Sequence, residues 1–150
     1  MNRILIATDG SPSAQEAIRF GIELAAEQDA SATFVLVVPA VDVVPTSGFG
    51  LTGAVPHELT EHDSEPLDRA QALAEEAGVS CFTRLLRGDP VDEIVAYADT
   101  VDADLIVVGS RGHGSMKSML LGSVSRGILA EARRPVLVVR GAATREPAAV

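Results

Sequence analysis

Asp104-Leu105-Ile106-Val107-Val108-Gly109-Ser110-Arg111-Gly112-His113-Gly114-Ser115, and after six further residues Gly122-Ser123-Val124-Ser125, is the stretch that decides how this chain folds. An unbroken aliphatic run leaves into a glycine- and serine-rich loop, and a helical pattern takes over from about Ser123 to Ala132. Continuous Leu, Ile and Val mark a strand buried on both faces, the habit of parallel sheets. Glycine where the strand leaves and where the helix begins permits the positive φ of a tight turn and lets a ligand approach bare backbone. The first amides of a helix have no partner within it and carry the positive end of its dipole. A phosphate placed there collects N–H donors, and Ser123 and Ser125 add hydroxyls.

Working outward, the same unit recurs. Arg3 to Thr8 is an aliphatic strand ending in Asp9-Gly10-Ser11-Pro12, where Ser11 caps a helix and Pro12 suits its first position. Ala14, Ala17, Ile18, Gly21, Ile22 and Ala25 then fall on one helical stripe. Thr33 to Val38 is a second buried strand. The stretch from Pro39 to Pro56 has Pro, Gly, Thr and Ser without helical period and reads as a long loop. Glu58 to Ala77 is an amphipathic helix stopped by Gly78, and Val79 to Leu86 alternates as a partly exposed strand. Gly88-Asp89-Pro90 opens another helix, and Pro135 to Arg140 is the last strand.

The order β-α-β-α-β-α-β-α-β predicts one α/β domain over residues 1–141, with a flexible tail over 142–150. Its sheet is expected to be five-stranded, parallel and doubly wound, in the order 3-2-1-4-5, with helices on both faces. Such a sheet has a point where the winding reverses, and ligands bind beyond the carboxyl ends of the strands that flank it. The turn at Asp9 and the loop after Gly109 both follow strand ends, so they are the candidate site.

Composition narrows the chemistry. The 150 residues include 21 acidic and 12 basic ones, a formal net charge of −9, and Lys117 is the sole lysine. Binding along a nucleic-acid backbone draws its affinity from clustered Lys and Arg, so a nucleic-acid partner is not expected. Aromatics make up 3%, which suits base stacking poorly. An acidic, lysine-poor surface is compatible with a salty, halophilic cytoplasm, where charges are screened within about 3 Å at 1 M salt. A triphosphate approaching this chain meets long-range repulsion, so binding is expected to be modest and to depend on Mg²⁺ as well as on short-range donors.

Other chemistries find no motif. No Gly-x-x-x-x-Gly-Lys-Ser/Thr and no Gly-x-Gly-x-x-Gly after the first strand is present. No serine has an elbow motif or a His–Asp partner by spacing. His57, His62 and His113 do not form a metal set, and the first two read as solvated surface. Cys81, being the single cysteine, excludes an internal disulfide, and its place on a strand reads as an inert buried thiol. The chain opens almost directly on a strand, and its longest apolar run, Phe34 to Val41, is far short of the ~20 residues that span a bilayer, so a cytoplasmic protein without a membrane partner is expected. In the order above, the last strand lies at the sheet edge. Residues 135–140 are too apolar to leave unpaired in water, which predicts a homodimer closed through that strand.

The spacing Gly109-x2-Gly112-x9-Gly122-Ser123, with Ile4-Leu5-Ile6-Ala7-Thr8-Asp9-Gly10-Ser11, Gly88-Asp89-Pro90, Leu121-Gly122-Ser123-Val124-Ser125 and Arg134-Pro135-Val136-Leu137-Val138-Val139-Arg140, resembles the universal stress protein family over about 140 residues. The resemblance implies an adenine nucleotide alpha hydrolase-like fold and an ATP-binding (or AMP- or ADP-binding) module of stress response or signalling, dimeric through its last strand. A slow Mg²⁺-dependent ATP hydrolase, or a structural, chaperone-like dimer without nucleotide, are the alternatives. By the same resemblance Asp9 lies beside the adenosine, Ala7 lines the base pocket, and Val38 meets the adenine through its backbone. Val108 and Gly109 would flank the ribose, and Arg111 and Gly112 would meet the phosphates. Gly122, Ser123, Val124 and Ser125 would hold phosphate through amides and hydroxyls. Ala7 stands where many nucleotide-binding relatives have proline.

Overall fold

The computed structural model describes residues 1–46, 48, 50–111 and 121–140. The expected tail over 142–150, and Gly112 to Ser118 of the glycine loop, lie outside them. Five strands, β1 (Arg3–Ala7), β2 (Ser31–Val38), β5 (Cys81–Arg87), β6 (Leu105–Gly109) and β7 (Val136–Val139), form one parallel sheet in the order β5-β2-β1-β6-β7. Counted along the sheet strands alone, that is the expected 3-2-1-4-5. Helices α1 (Pro12–Gln28), α2 (Glu61–Glu76), α3 (Pro90–Thr100) and α4 (Ser123–Glu131) connect them.

The period of two along each strand divides the core into two layers. Ile4 and Ile6 of β1, with Phe34 and Leu36 of β2, meet Ile18 and Ile22 of α1 and Leu67 and Ala70 of α2. Leu5, Val35, Ile106 and Val108 point the other way, onto Ile94 and Ala98 of α3 and Ile128 of α4. Each wholly buried aliphatic or phenyl side chain contributes about 1.5–3 kcal/mol. β1 is covered on both faces, which is why its whole run is apolar.

The helix starts follow local chemistry. The Ser11 hydroxyl accepts the Ala14 N–H at 3.2 Å, and the Asp89 carboxylate accepts the Asp92 N–H at 3.0 Å. Each cap is followed by proline, which lacks only a donor that the first helical turn would leave unpaired. Winding away from β1 runs through β2 to β5 on one side and from β6 to β7 on the other, so the switch point lies between β1 and β6.

One expectation fails. Residues 39–56 are not a featureless loop: β3 (Val41–Thr46) and β4 (Leu51–Pro56) pair antiparallel from Val41 opposite Pro56 to Thr46 opposite Leu51. The two strands make a separate ribbon that does not join the main sheet. Gly48 and Gly50, with φ of 75° and 68°, reverse the chain. Pro45 and Pro56 obscured the strand pattern, yet an edge position tolerates a residue without N–H, and both strands of a two-stranded ribbon are edges.

Candidate functional site

β1 and β6 run side by side, with Ile6 opposite Val107, so the residues that leave their ends are neighbours. Ala7 closes β1 and Gly109 closes β6. Between them and the start of α4 is a cavity of about 420 Å³, within the range of small-ligand sites. Of the residues expected from sequence, Ala7, Asp9, Val108, Gly109, Arg111, Gly122, Ser123, Val124 and Ser125 line it. Gly112 lies outside the described residues.

Val38 is not part of this wall. Its side chain is buried on the α1/α2 side, and its carbonyl accepts the Gly88 N–H at 3.0 Å. The neighbouring Val37 lines the cavity instead, because successive strand residues face opposite sides. Thr8, Ala14, Pro90 and Ile94 also line it and were not foreseen. The stripe of α1 pointed to Ala14 as core, and Pro90 and Ile94 arrive from α3 through the crossover. Val37, Ile94, Ala14 and Val108 make one part of the wall apolar, whereas the α4 start is polar backbone.

That helix start is distinctive. α1 and α3 take caps from Ser11 and Asp89, and α2 has a Thr60–Asp63 capping box. α4 begins on Gly122, which has no side chain to offer to the amides that follow. The Gly122 N–H itself donates to the Ser110 carbonyl at 2.7 Å. The buried Ser125 hydroxyl turns back into the chain, within 2.9 Å of the Gly122 carbonyl and 3.2 Å of the Ser110 carbonyl. It braces the loop exit against the helix and does not point its proton outward.

The positive φ expected of the glycines at the strand exit and the helix start is found at neither Gly109 nor Gly122. Gly122 has φ −63° and ψ 162°, an extended conformation open to any residue. Gly109 is absent from the positive-φ glycines, and its constraint is space. A Cβ there would lie 2.7 Å from Ser13 Oγ and 2.8 Å from the Ser13 carbonyl carbon and oxygen. β6 and the first turn of α1 therefore pack backbone against backbone. The Ser13 hydroxyl also accepts the Arg111 N–H at 3.2 Å, tying the loop after β6 to α1. Nothing in the local pattern marked Ser13, since the contact spans 98 residues.

Asp9 and Arg111 are, among the described residues, the acidic and basic side chains of the cavity wall. The Asp9 carboxylate accepts the Ser11 N–H at 2.9 Å, and Thr8 Oγ1 accepts the Gly10 N–H at 3.2 Å, which sets the turn after β1. No group of three or more His, Cys, Asp or Glu among the described residues is arranged to hold a metal ion. Cys81 is half-buried, and burial, with Glu75 nearby, pushes its thiol above the ordinary value, which favours the unreactive protonated form. No helix among the described residues is long and apolar enough to cross a membrane.

A doubly wound α/β domain, with a cleft at its switch point and a helix start in that cleft whose cap residue is glycine, is the class of protein these features define. The universal stress protein family matches residues 1–140, and the chain belongs to that family. A universal stress protein of Methanocaldococcus jannaschii is 39% identical over 141 residues, covering 92% of this chain and 81% of the relative. Two solved structures share the fold closely. One, a universal stress protein in complex with cAMP, is 27% identical with a TM-score of 0.68, covering 92% of this chain and 95% of that one. The other, from Archaeoglobus fulgidus in complex with dAMP, is 26% identical with a TM-score of 0.66, covering 92% and 97%.

Proposed function

We propose that the cavity binds an adenine nucleotide and that the chain is a nucleotide-dependent module of stress response or signalling. The observation that carries this reading is the α4 start: a helix whose cap residue is glycine, open to a cavity of about 420 Å³. Phosphate oxygens would supply the acceptors that Gly122 does not, each contact contributing about 0.3–1 kcal/mol when exposed and up to ~2 when partly buried. The apolar wall of Val37, Ile94 and Val108 suits a base, and Ala7 leaves room beside it. Relatives that bind cAMP and dAMP support an adenine ligand. ATP, ADP and AMP all fit this chemistry. Mg²⁺ would be held mainly by the phosphates, with Asp9 the carboxylate nearest to hand.

The domain over 1–141 would work as a homodimer. Among the described residues β7 pairs only with β6, which leaves Val136–Val139 half-exposed at the sheet edge, and a second copy of the strand would close it. A cytoplasmic setting belongs to the same proposal, because the nucleotide pool it would sense is there. Slow hydrolysis has less support. Asp9 is the lone carboxylate of the described wall, and it already accepts the Ser11 N–H.

Calorimetry with ATP, ADP and AMP, with and without Mg²⁺, tests the reading. Gly122→Val adds a side chain to the cradle at a backbone conformation valine tolerates, so binding should fall at least tenfold while the melting temperature stays within a few degrees. Absence of binding by the native chain at millimolar nucleotide overturns the proposal.

A further inference from the structure

The described residues of the β3–β4 ribbon have almost no hydrophobic hold on the rest of the described molecule. None of its described residues is buried, and Val43 and Leu51 are 73% and 64% exposed. What ties it down is polar and centres on His57, the residue just past β4. The His57 N–H closes the base of the ribbon on the Ala40 carbonyl at 3.0 Å. Its ring lies between two carboxylates: Nδ1 is 2.8 and 2.9 Å from the oxygens of Asp42 in β3, and Nε2 is 3.2 and 3.3 Å from those of Asp63 in α2. From β5, the Arg87 guanidinium donates to the His57 carbonyl at 2.8 Å. The ring is only 17% exposed, unlike the solvated histidine expected from sequence; His62, at 86%, is one.

A neutral imidazole has one N–H and one lone pair. It can satisfy Asp42 or Asp63, and must then point its lone pair at the other carboxylate. Only the imidazolium donates to both. We infer that His57 is a proton-operated latch, which docks the β3–β4 ribbon onto the start of α2 when its ring is charged and releases it when the ring is neutral. The bond to Asp42, above all, then that to Asp63, raises the pKa of His57 above its ordinary 6.5 against the opposing effect of burial. Asp63 is held below its ordinary 3.8, chiefly by the Thr60 N–H and then by His57. The raised histidine contributes stability that is complete below 6.5 and disappears as pH rises through the folded-state value. The lowered aspartate contributes stability that is present above 3.8 and disappears as pH falls through its own. The ribbon is therefore held most firmly between these limits and loosens on the alkaline side as His57 discharges.

The test combines an NMR titration of the histidine rings with amide hydrogen exchange in residues 41–56, corrected for the intrinsic pH dependence of exchange. The His57 midpoint should lie above 6.5. Ribbon protection should fall across that midpoint, tenfold for each unit by which it exceeds 6.5. In Asp42→Asn and Asp63→Asn the midpoint should move down. In His57→Gln, protection should be low and level with pH while that of β1 and β6 is unchanged. A midpoint at or below 6.5, or ribbon protection independent of pH in the native chain, overturns the latch.

Discussion

Replacing Gly109 by alanine adds one methyl group where β6 meets α1. That Cβ would lie 2.7 Å from Ser13 Oγ and 2.8 Å from both the carbonyl carbon and oxygen of Ser13. The hydroxyl can rotate away; the two carbonyl atoms belong to the first turn of α1 and cannot. α1 in turn is pinned through Ile18 and Ile22 to the layer containing Ile4, Ile6 and Phe34, so relief by sliding the helix opens the core. Overpacking of this kind costs typically 1–3 kcal/mol. Backbone on both sides puts Gly109→Ala in the upper part of that range. Displacing Ser13 also weakens its bond with the Arg111 N–H, about 1 kcal/mol more. The expected total is about 3–4 kcal/mol, or a fall in melting temperature of roughly 6–16 °C for a domain of this size. Urea unfolding is the assay, read as a lower midpoint with an unchanged slope. Gly78→Ala is the reference: its Cβ would meet nothing within 4 Å, so only the strain of φ +72° remains, about 1 kcal/mol. If Gly109→Ala costs no more than Gly78→Ala, the two backbones are not locked together and the packing account of this glycine is wrong.

The remaining expectations concern caps, charges and salt. Asp89→Ala leaves the Asp92 N–H without its acceptor and should cost about 1 kcal/mol in the same urea assay, whereas Asp89→Ser should recover most of it. The Asp104 carboxylate accepts the Asn2 and Arg3 N–H groups at 2.7 and 2.9 Å, which hold its pKa below the ordinary 3.8. Its contribution is present above 3.8 and lost as pH falls through the folded-state value, so Asp104→Asn should flatten the acid limb of the stability–pH curve and leave its neutral part level in slope. A net charge of −9 with one lysine should make the protein more stable in molar KCl than in dilute buffer; equal urea midpoints in the two would remove the salt-adaptation reading.

Most of the sheet was legible because its information is local. Ile4-Leu5-Ile6 and Leu105 to Val108 are buried on both faces, so they carry no polar residue to confuse the reading. Ser11-Pro12 and Asp89-Pro90 announce helices through bonds that span only three residues. Alternation of these units then left few topologies open, and the switch-point cleft followed from the topology. The ribbon at 41–56 was illegible for the converse reason. It buries none of its described side chains, so burial imposed no pattern, and its prolines signalled a loop.

The chain's own order of residues pointed to the doubly wound sheet and the place of the cleft, because burial, capping and winding each leave a mark within a few positions of the residue concerned, whereas the individual residues around the cleft were implied by the family resemblance. Folding alone decided that Val37 rather than Val38 faces the cavity, that Gly109 is demanded by Ser13, and that His57 is clasped by Asp42 and Asp63. Those contacts join positions far apart in the chain or depend on the side from which a crossover arrives, and no short-range pattern of residue types encodes either.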